Sequence, residues 1–263
     1  MENTPLNNPA SKAASANRAT ADSAFRGPSY RHSKHAEKAG LFRQALDFVV
    51  VVFVTLAVLG MLNNWVVQRY YIPSGSMENT IMPHDYVLTS KLVPDSIEIN
   101  RGDIVVFNDS GNWLGEHEQP ELGWFQKALI WSGLRPDPGH QQLIKRVIGL
   151  PGDTVTCCNA SGLIEVNGTE IDEPYLKSGV VPSLAQFSVT VPEDRYWVMG
   201  DNRSNSADSR AHQDNPGDGT IPRSDVLGKA VAVVWPFSRI QWLTDYSDVF
   251  SSVPAGARVQ DHN

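Results

Sequence analysis

One run without any charged residue extends from Phe48 to Gln68, and its centre, residues 49–62, is almost wholly apolar. As an α-helix, at about 1.5 Å per residue, the run is roughly 31 Å long, which is enough to cross the hydrocarbon core of a bilayer. A cleaved signal peptide would lie nearer the N-terminus and end at a small-x-small site, unlike Asn63-Asn64-Trp65. The pattern predicts an uncleaved transmembrane helix over residues 44–69, with a buried core helix as the alternative.

Positive charges flank this run unequally. Arg69 is the only one immediately after it, whereas five lie between residues 26 and 43: Arg26, Arg31, Lys34, Lys38 and Arg43. The positive-inside rule therefore predicts a single-pass protein of the cell membrane with a cytoplasmic N-terminus and the rest of the chain on the outer face. The aromatic residues Trp65, Tyr70 and Tyr71 are expected at the outer membrane interface, where amphipathic rings prefer to lie. Residues 1–43, rich in Ala, Ser and Asn without a sustained apolar period, are predicted as a disordered cytoplasmic tail.

Beyond the run, short apolar stretches alternate with Gly, Pro, Asn and Asp, a pattern typical of β-strands. The Asn167-Gly168 pair, which joins the predicted strand residues 165–166 and 169–171, is the strongest hairpin signal, because it suits the positive φ angles of a type I′ turn. We predict a mainly β domain over residues 70–246 and a flexible tail over 247–263. The predicted strands are residues 86–88, 103–107, 143–148, 154–156, 163–166, 197–199 and 229–235.

One stretch breaks the β pattern, inside a predicted insertion at residues 108–140. It places apolar residues at helical spacing: Leu122, Trp124, Phe125, Ala128, Leu129 and Trp131. Such a stripe packs against the chain's own sheet more often than it rests on a bilayer, and both interpretations stay open.

Composition narrows the function classes only modestly. The formal charge of −7 gives no indication of nucleic-acid binding. With two cysteines and no His-Glu-x-x-His motif, neither a four-cysteine zinc site nor that metalloprotease site is predicted, and no cofactor is expected. Cys157 and Cys158 are adjacent, and our hypothesis is that they are buried thiols or a vicinal disulfide.

Ser76 is the candidate nucleophile, because it lies in Pro73-Ser74-Gly75-Ser76-Met77 just beyond the apolar run. A hydroxyl needs an adjacent base to take its proton during attack. Pro73 stiffens the approach and Gly75 permits conformations closed to other residues, although Ser-Gly-Ser is also common in plain loops.

Lys145 is the candidate base. In a strand it shares its face with Leu143 and Val147, an apolar setting that disfavours the ammonium form. The alternative is a lysine that reaches the surface beside Arg146. Histidine is the rival base, but His84, His140 and His212 lie in polar surroundings and no Gly-x-Ser-x-Gly motif is present.

Four ordered blocks after a membrane anchor resemble the bacterial type I signal peptidases, membrane-bound serine proteases that remove signal peptides from exported preproteins. The blocks are Pro73-Ser74-Gly75-Ser76-Met77, Gly102-Asp103-Ile104-Val105-Val106-Phe107, Lys145-Arg146-Val147-Ile148-Gly149-Leu150-Pro151-Gly152-Asp153, and the stretch from Gly200 to Arg210. The family often has an acidic residue where Ser204 stands. The resemblance implies a largely antiparallel β catalytic domain after one N-terminal transmembrane helix.

The resemblance also implies roles for individual residues. Ser76 is the nucleophile and Lys145 the general base, and the Ser74 hydroxyl forms the oxyanion hole with the Ser76 N–H. Ser206 orients the lysine, and Asp208 and Arg210 form a supporting ion pair. Substrate-binding pockets are expected from Ile72, Pro73, Met77, Ile81, Leu143 and Ile144.

The predicted function is endopeptidase cleavage of preprotein signal peptides after small-x-small sites, through an acyl-enzyme. The predicted partners are signal peptides and the lipid bilayer, with possible proximity to the export translocon. The alternatives are another Ser/Lys processing protease and a non-catalytic membrane-anchored β binding domain.

Overall fold

The structure, a computed structural model, describes residues 34–115, 122–131 and 142–256. Side chains are described for these residues except 34–42, 62–64 and 131. The chain divides into two compact units, residues 1–55 and 56–263. Most of the predicted N-terminal tail, residues 1–33, lies outside the described residues.

The first helix, α1, covers Lys34–Trp65. Its stretch Arg43–Met61 is long and apolar enough to cross a membrane, as predicted, and nearly all its side chains are exposed in the isolated chain. A surface of this composition suits lipid rather than water. The helix starts within the predicted tail and ends before the predicted boundary at residue 69.

The residues after α1 form a strand, which corrects the predicted end of the membrane helix. Strand β1, Val67–Tyr71, pairs antiparallel with β2, Tyr86–Ser90. Tyr70 is buried in the core and does not form part of an exposed aromatic belt. The physical reason is local: valine and tyrosine favour strands, and the asparagines at 63 and 64 are weak helix formers.

The larger sheet has eight strands in the order β1-β2-β11-β3-β4-β9-β10, with β12 paired to β11. The pairs along it are antiparallel. Its remaining strands are β3 Ile104–Asn108, β4 Gln142–Gly149, β9 Arg195–Met199, β10 Ile221–Pro222, β11 Val226–Trp235 and β12 Gln241–Trp242.

A four-stranded sheet in the order β7-β6-β5-β8 packs around a core that includes Trp197. Its strands are β5 Thr154–Cys157, β6 Ile164–Val166, β7 Thr169–Ile171 and β8 Phe187–Thr190. Asn167 and Gly168 join β6 to β7 with φ angles of 53° and 76°, which confirms the predicted hairpin. A disulfide bond joins Cys157 to Cys158 at the end of β5, so the bridge rather than the free thiols is present.

The mainly antiparallel β fold is confirmed, and each predicted strand has its counterpart. Four strands were not predicted: β1, β8 and the two-residue strands β10 and β12. The last two are too short to show any alternation of apolar and polar residues, so only their tertiary pairing defines them.

The insertion lies between β3 and β4. It contains helix α2, Trp124–Trp131, as the spacing predicted, and residues 116–121 and 132–141 lie outside the described residues. Trp124 is 81% exposed, and Phe125 is also exposed. These two side chains therefore do not pack in the core.

The C-terminal segment differs from the predicted flexible tail. Ser247–Phe250 forms a short 3-10 helix, and Phe250 and Val253 are buried in the same core as Trp197. Arg101 Nη2 also donates to the Pro254 carbonyl oxygen at 3.1 Å. Isolated apolar residues among polar ones give no periodic signal, and only the folded core shows where they fit. Residues 257–263 lie outside the described residues.

We expect Phe250→Ala to lower the free energy of unfolding by about 3 kcal/mol, because it removes a buried aromatic side chain and leaves a cavity. Denaturation of the detergent-solubilised full chain, followed by tryptophan fluorescence, measures this loss. The control Leu184→Ala removes a side chain that is 90% exposed and should change stability by less than about 0.5 kcal/mol. Equal stability of the two variants would contradict a docked C-terminal segment.

Candidate active site

Ser76 lies in the loop between β1 and β2, which is held by hydrogen bonds from Asn202. Its carbonyl oxygen accepts from the Asn202 N–H at 3.0 Å, and Asn202 Nδ2 donates to the Gly75 carbonyl oxygen at 3.0 Å. A Cβ on Gly200 would lie 2.5 Å from the Ser76 carbonyl oxygen and would also meet Ser206. Glycine at 200 thus lets the Gly200–Arg210 block approach the serine loop closely.

Lys145 lies in β4, which pairs with β3 on one side and β9 on the other. Its side chain is 2% exposed, and Ser76 is 6% exposed. Lys145 Nζ lies 2.9 Å from Ser76 Oγ and donates to the Ile144 carbonyl oxygen, also at 2.9 Å. The two residues that the sequence singled out are therefore in direct contact. Lys145 is not a surface lysine, which was the alternative interpretation.

Burial lowers the pKa of Lys145 to about 8, because removing the ammonium group from water disfavours the charged form. The negative charges of Asp208 and Asp201 act in the opposite direction and limit the change. The amine is therefore neutral in a substantial fraction of molecules just above neutral pH, as a general base requires.

Ser74 and Ser206 differ in exposure and in their hydrogen-bond contacts. Ser74 Oγ is 3.5 Å from Ser76 Oγ and is exposed, so its hydroxyl stands beside the candidate nucleophile. Ser206 Oγ is buried without a hydrogen-bond partner of good geometry among the described residues. The structure thus places Ser74 at the site, but it shows no hydrogen bond from Ser206 to Lys145.

Asp208 and Arg210 form the predicted ion pair through two hydrogen bonds of 2.8 Å. Asp208 Oδ2 also accepts from the Gly200 N–H at 3.0 Å, and Arg210 Nη2 donates to the Arg203 carbonyl oxygen at 2.9 Å. Burial alone would raise the pKa of Asp208, but the hydrogen bonds and charge of Arg210 hold it below its ordinary value. The pair ties the segment after Gly200 to β9.

A second buried ion pair was missed in the sequence. Arg146 donates to both carboxylate oxygens of Asp201, at 2.9 and 2.7 Å, and neither side chain is exposed. Arg146 also donates to the Gly102 carbonyl oxygen at 2.7 Å and lies 4.1 Å from the centre of the Tyr175 ring. One signal was available: Arg146 shares its strand face with Ile144 and Ile148, so it points towards the interior.

The six predicted pocket residues lie near Ser76 in the chain or beside Lys145 in β4. Ile72, Leu143 and Ile144 are buried but retain a little exposed surface, and Pro73 is exposed. Met77 and Ile81 have none, because they pack in the core beneath the loop. In this structure these two predicted pocket residues therefore present no surface that a substrate could contact.

The rival histidines have other environments. His84 Nδ1 lies 2.5 Å from the Tyr71 hydroxyl, His212 stacks on Trp113, and His140 lies outside the described residues. Neither described histidine hydrogen bonds to a serine side chain. Within the part of the chain that the structure describes, no three His, Cys, Asp or Glu side chains are grouped so that they could hold a metal ion.

Comparison with known proteins identifies the family. A model of the family described as "Signal peptidase, peptidase S26" matches residues 45–235. The chain belongs to this family. The match runs from the apolar helix to β11 and includes both Ser76 and Lys145.

Individual relatives are named as signal peptidases I. The chain is 36% identical over 218 residues to the signal peptidase I of Mycobacterium tuberculosis, which covers 73% of each chain. It is 35% identical to a probable signal peptidase I of Mycobacterium leprae, over 75% of this chain and 78% of that one. The chain is also 35% identical to a probable signal peptidase I-2 of Synechocystis, over 73% of this chain and 74% of that one. The predicted family and the predicted activity, that of a signal peptidase and serine endopeptidase, are thus confirmed.

Removing one member of the Arg146–Asp201 pair should be costly, because the other charge stays buried and unpaired. We expect Arg146→Leu to lower the free energy of unfolding by about 3 to 5 kcal/mol. The control is Lys177→Leu, which breaks the exposed ion pair with Glu78 and should cost less than about 1 kcal/mol. Chemical denaturation of the full chain in detergent compares the two variants. Similar losses in the free energy of unfolding would show that the buried pair stabilises the fold no more than the exposed one.

Proposed function

We propose that Ser76 is the nucleophile and Lys145 the general base of this signal peptidase. The observation that carries the proposal is the 2.9 Å contact between Ser76 Oγ and a Lys145 amine buried in the fold. Hydrogen-bond contact between a hydroxyl and a base of lowered pKa is what nucleophilic catalysis by serine requires.

Acylation begins with neutral Lys145, whose lone pair accepts the Ser76 hydroxyl proton while Oγ attacks the carbonyl carbon of the scissile peptide. The hydrogen bond to the Ile144 carbonyl oxygen fixes the amine during this step. The negative oxygen of the tetrahedral intermediate receives hydrogen bonds from the Ser74 hydroxyl and the Ser76 N–H, which stabilise the developing charge. The protonated lysine then gives its proton to the leaving amine, and the peptide C–N bond breaks.

Deacylation repeats the same chemistry with water. Neutral Lys145 takes a proton from a water molecule, the hydroxide attacks the ester carbon, and the bond to Ser76 Oγ breaks. Oγ recovers its proton from the lysine, and the signal peptide leaves with a new carboxylate. The Asp208–Arg210 pair holds the segment that carries Ser206, whose hydroxyl has unused hydrogen-bonding capacity for orienting the amine.

The substrate is a preprotein whose signal peptide binds in an extended conformation along the sheet, with small side chains before the scissile bond. Ile72, Pro73, Leu143 and Ile144 provide the shallow surface for those side chains, and Met77 and Ile81 support it. Backbone hydrogen bonds to an added strand would supply binding energy without sequence demands.

The position of the site along the chain fits a membrane-bound substrate. Ser76 follows the end of α1 by a short segment, and a signal peptide presents its cleavage site just past its own apolar stretch. We place α1 in the cell membrane with its basic N-terminal flank in the cytoplasm and the catalytic domain on the outer face, near the point where the translocon releases preproteins.

Both alternatives predict other properties. A non-catalytic β binding domain has no need of a buried lysine in contact with a serine, because burying its amine costs free energy. Another Ser/Lys processing protease shares the dyad and differs in its substrate, so only the substrate test separates it.

Ser76→Ala and Lys145→Ala should each reduce cleavage of a preprotein with an Ala-x-Ala site by at least about 10³-fold, because either variant removes the nucleophile or its base. Electrophoresis of the products formed by the detergent-solubilised full chain measures this. Matched controls are Ser224→Ala and Lys127→Ala, which change exposed residues and should cleave normally. Cleavage by both dyad variants would refute the mechanism, and an inert wild type would favour the binding domain.

The pH dependence follows from the lysine. Only the neutral amine acts as a base, so kcat/KM should rise about tenfold per pH unit at acid pH and level off above pH 8, where the lowered pKa of Lys145 lies. At pH 6 about 1% of the lysine is neutral. Measuring kcat/KM from pH 6 to 10 checks this, and a limb centred near pH 6.5 would point to histidine instead.

A further inference from the structure

A ring stack joins the insertion to the segment that follows the Asp208–Arg210 pair. The Trp113 and His212 rings lie 4.5 Å apart between centroids and are nearly parallel, at 14°. Trp113 also meets Phe107 edge to face, with centroids 5.6 Å apart. Trp113 therefore bridges His212 and the strand β3.

The stack lies on the sheet face that carries Lys145. Val105 and Phe107 of β3 stand opposite Lys145 and Leu143 of β4, and directly opposed residues of antiparallel strands project to the same face. Trp113 packs against the core cluster of this face, which contains Phe107, Leu143 and other apolar residues. The Trp113 and Phe107 rings are thus on the same face of the sheet as the lysine side chain.

His212 is close to the charged groups of the site. The charges that act on its ring are Asp109 of the insertion, Asp208 and Lys145 itself. Lys145 in turn is influenced by Asp208 and Asp201. Asp208 thus acts on both the histidine ring and the lysine amine.

We propose that Trp113 and His212 form a cover that keeps water away from the Lys145 side chain and so act as positioning residues for the base. This inference rests on the proposed role of Lys145. Water exclusion is the contribution it needs, because desolvation disfavours an ammonium group and the nearby carboxylates favour it. A cover of two rings reduces access of water from the side that faces the insertion.

The His212 ring serves as apolar surface rather than as a charge or a hydrogen-bonding group. Its Nε2 is buried and has no hydrogen-bond partner among the described residues. Burial also lowers the pKa of His212, so the ring is neutral over the pH range in which Lys145 titrates. A neutral ring of similar shape should therefore replace it.

Hydrogen bonds within the insertion loop and to the His212 segment hold Trp113 in place. Asp109 accepts hydrogen bonds from the Trp113 and Leu114 N–H groups, at 2.7 and 2.8 Å. Asn215 Nδ2 donates to the Gly111 carbonyl oxygen at 3.1 Å, which joins the loop to the His212 segment a second time. The insertion thereby acquires a role in the chemistry of the site, although it lies outside the sequence blocks that carry the dyad.

The test measures kcat/KM against pH for the detergent-solubilised full chain. Trp113→Ala and His212→Ala should each move the acid limb upward by about one pH unit, which lowers kcat/KM about tenfold at pH 7 and much less at pH 9.5. His212→Phe should keep the limb within a few tenths of a unit of wild type. Trp124→Ala, which removes an exposed ring of the same insertion, is the matched control and should not move it.

The outcomes separate the cover from the dyad. A rate loss equal at every pH, or an unchanged limb in both alanine variants, overturns the cover and leaves the dyad intact. If His212→Phe shifts the limb as far as His212→Ala does, the ring acts through its polar atoms and the cover is also wrong. Cleavage by Lys145→Ala would instead refute the proposed function itself. Should Trp113→Ala fail to fold, the two His212 variants decide the matter.

Discussion

Burial of the Lys145 amine beside Ser76 is the constraint on which the rest of this site depends. The difference between the ordinary lysine pKa of 10.5 and the lowered value of about 8 corresponds to roughly 3 kcal/mol against the charged form. Strand β4 provides this environment because it is interior to the larger sheet, and every residue from Leu143 to Gly149 is buried. The lowered pKa of Lys145 thus depends on the core that covers both faces of this strand.

The neighbouring carboxylates present the opposing problem, and the structure resolves it by pairing each with an arginine. Without partners, Asp201 and Asp208 would favour the ammonium form of Lys145 more strongly. Instead Asp201 takes two hydrogen bonds from Arg146, and Asp208 takes two from Arg210. The two arginines thus weaken the attraction between these carboxylates and the Lys145 ammonium group. They also keep the Gly200–Arg210 segment against the serine loop.

Several features escaped the sequence for physical reasons that differ from case to case. Val67–Tyr71 begins inside the uncharged run, so hydropathy did not show where the helix ends; the strand propensity of valine and tyrosine and the pairing with β2 decide it. Phe250 and Val253 lie among polar residues in the sequence, so their burial is apparent only from the folded core in which they pack. Arg146 is charged in a buried strand, and its environment becomes apparent only when Asp201, distant in sequence, lies next to it.

What the sequence determined by itself was local or ordered along the chain: the apolar helix, most of the strands, the Asn167-Gly168 hairpin, and the candidate residues Ser76 and Lys145. These depend on residue type, spacing and the order of motifs, which are properties of a linear pattern. The tertiary structure alone decided that Lys145 Nζ meets Ser76 Oγ, that Arg146 pairs with Asp201, and that Trp113 stacks on His212. Each of these contacts joins residues distant in sequence, and neither periodicity nor propensity carries information about such distances.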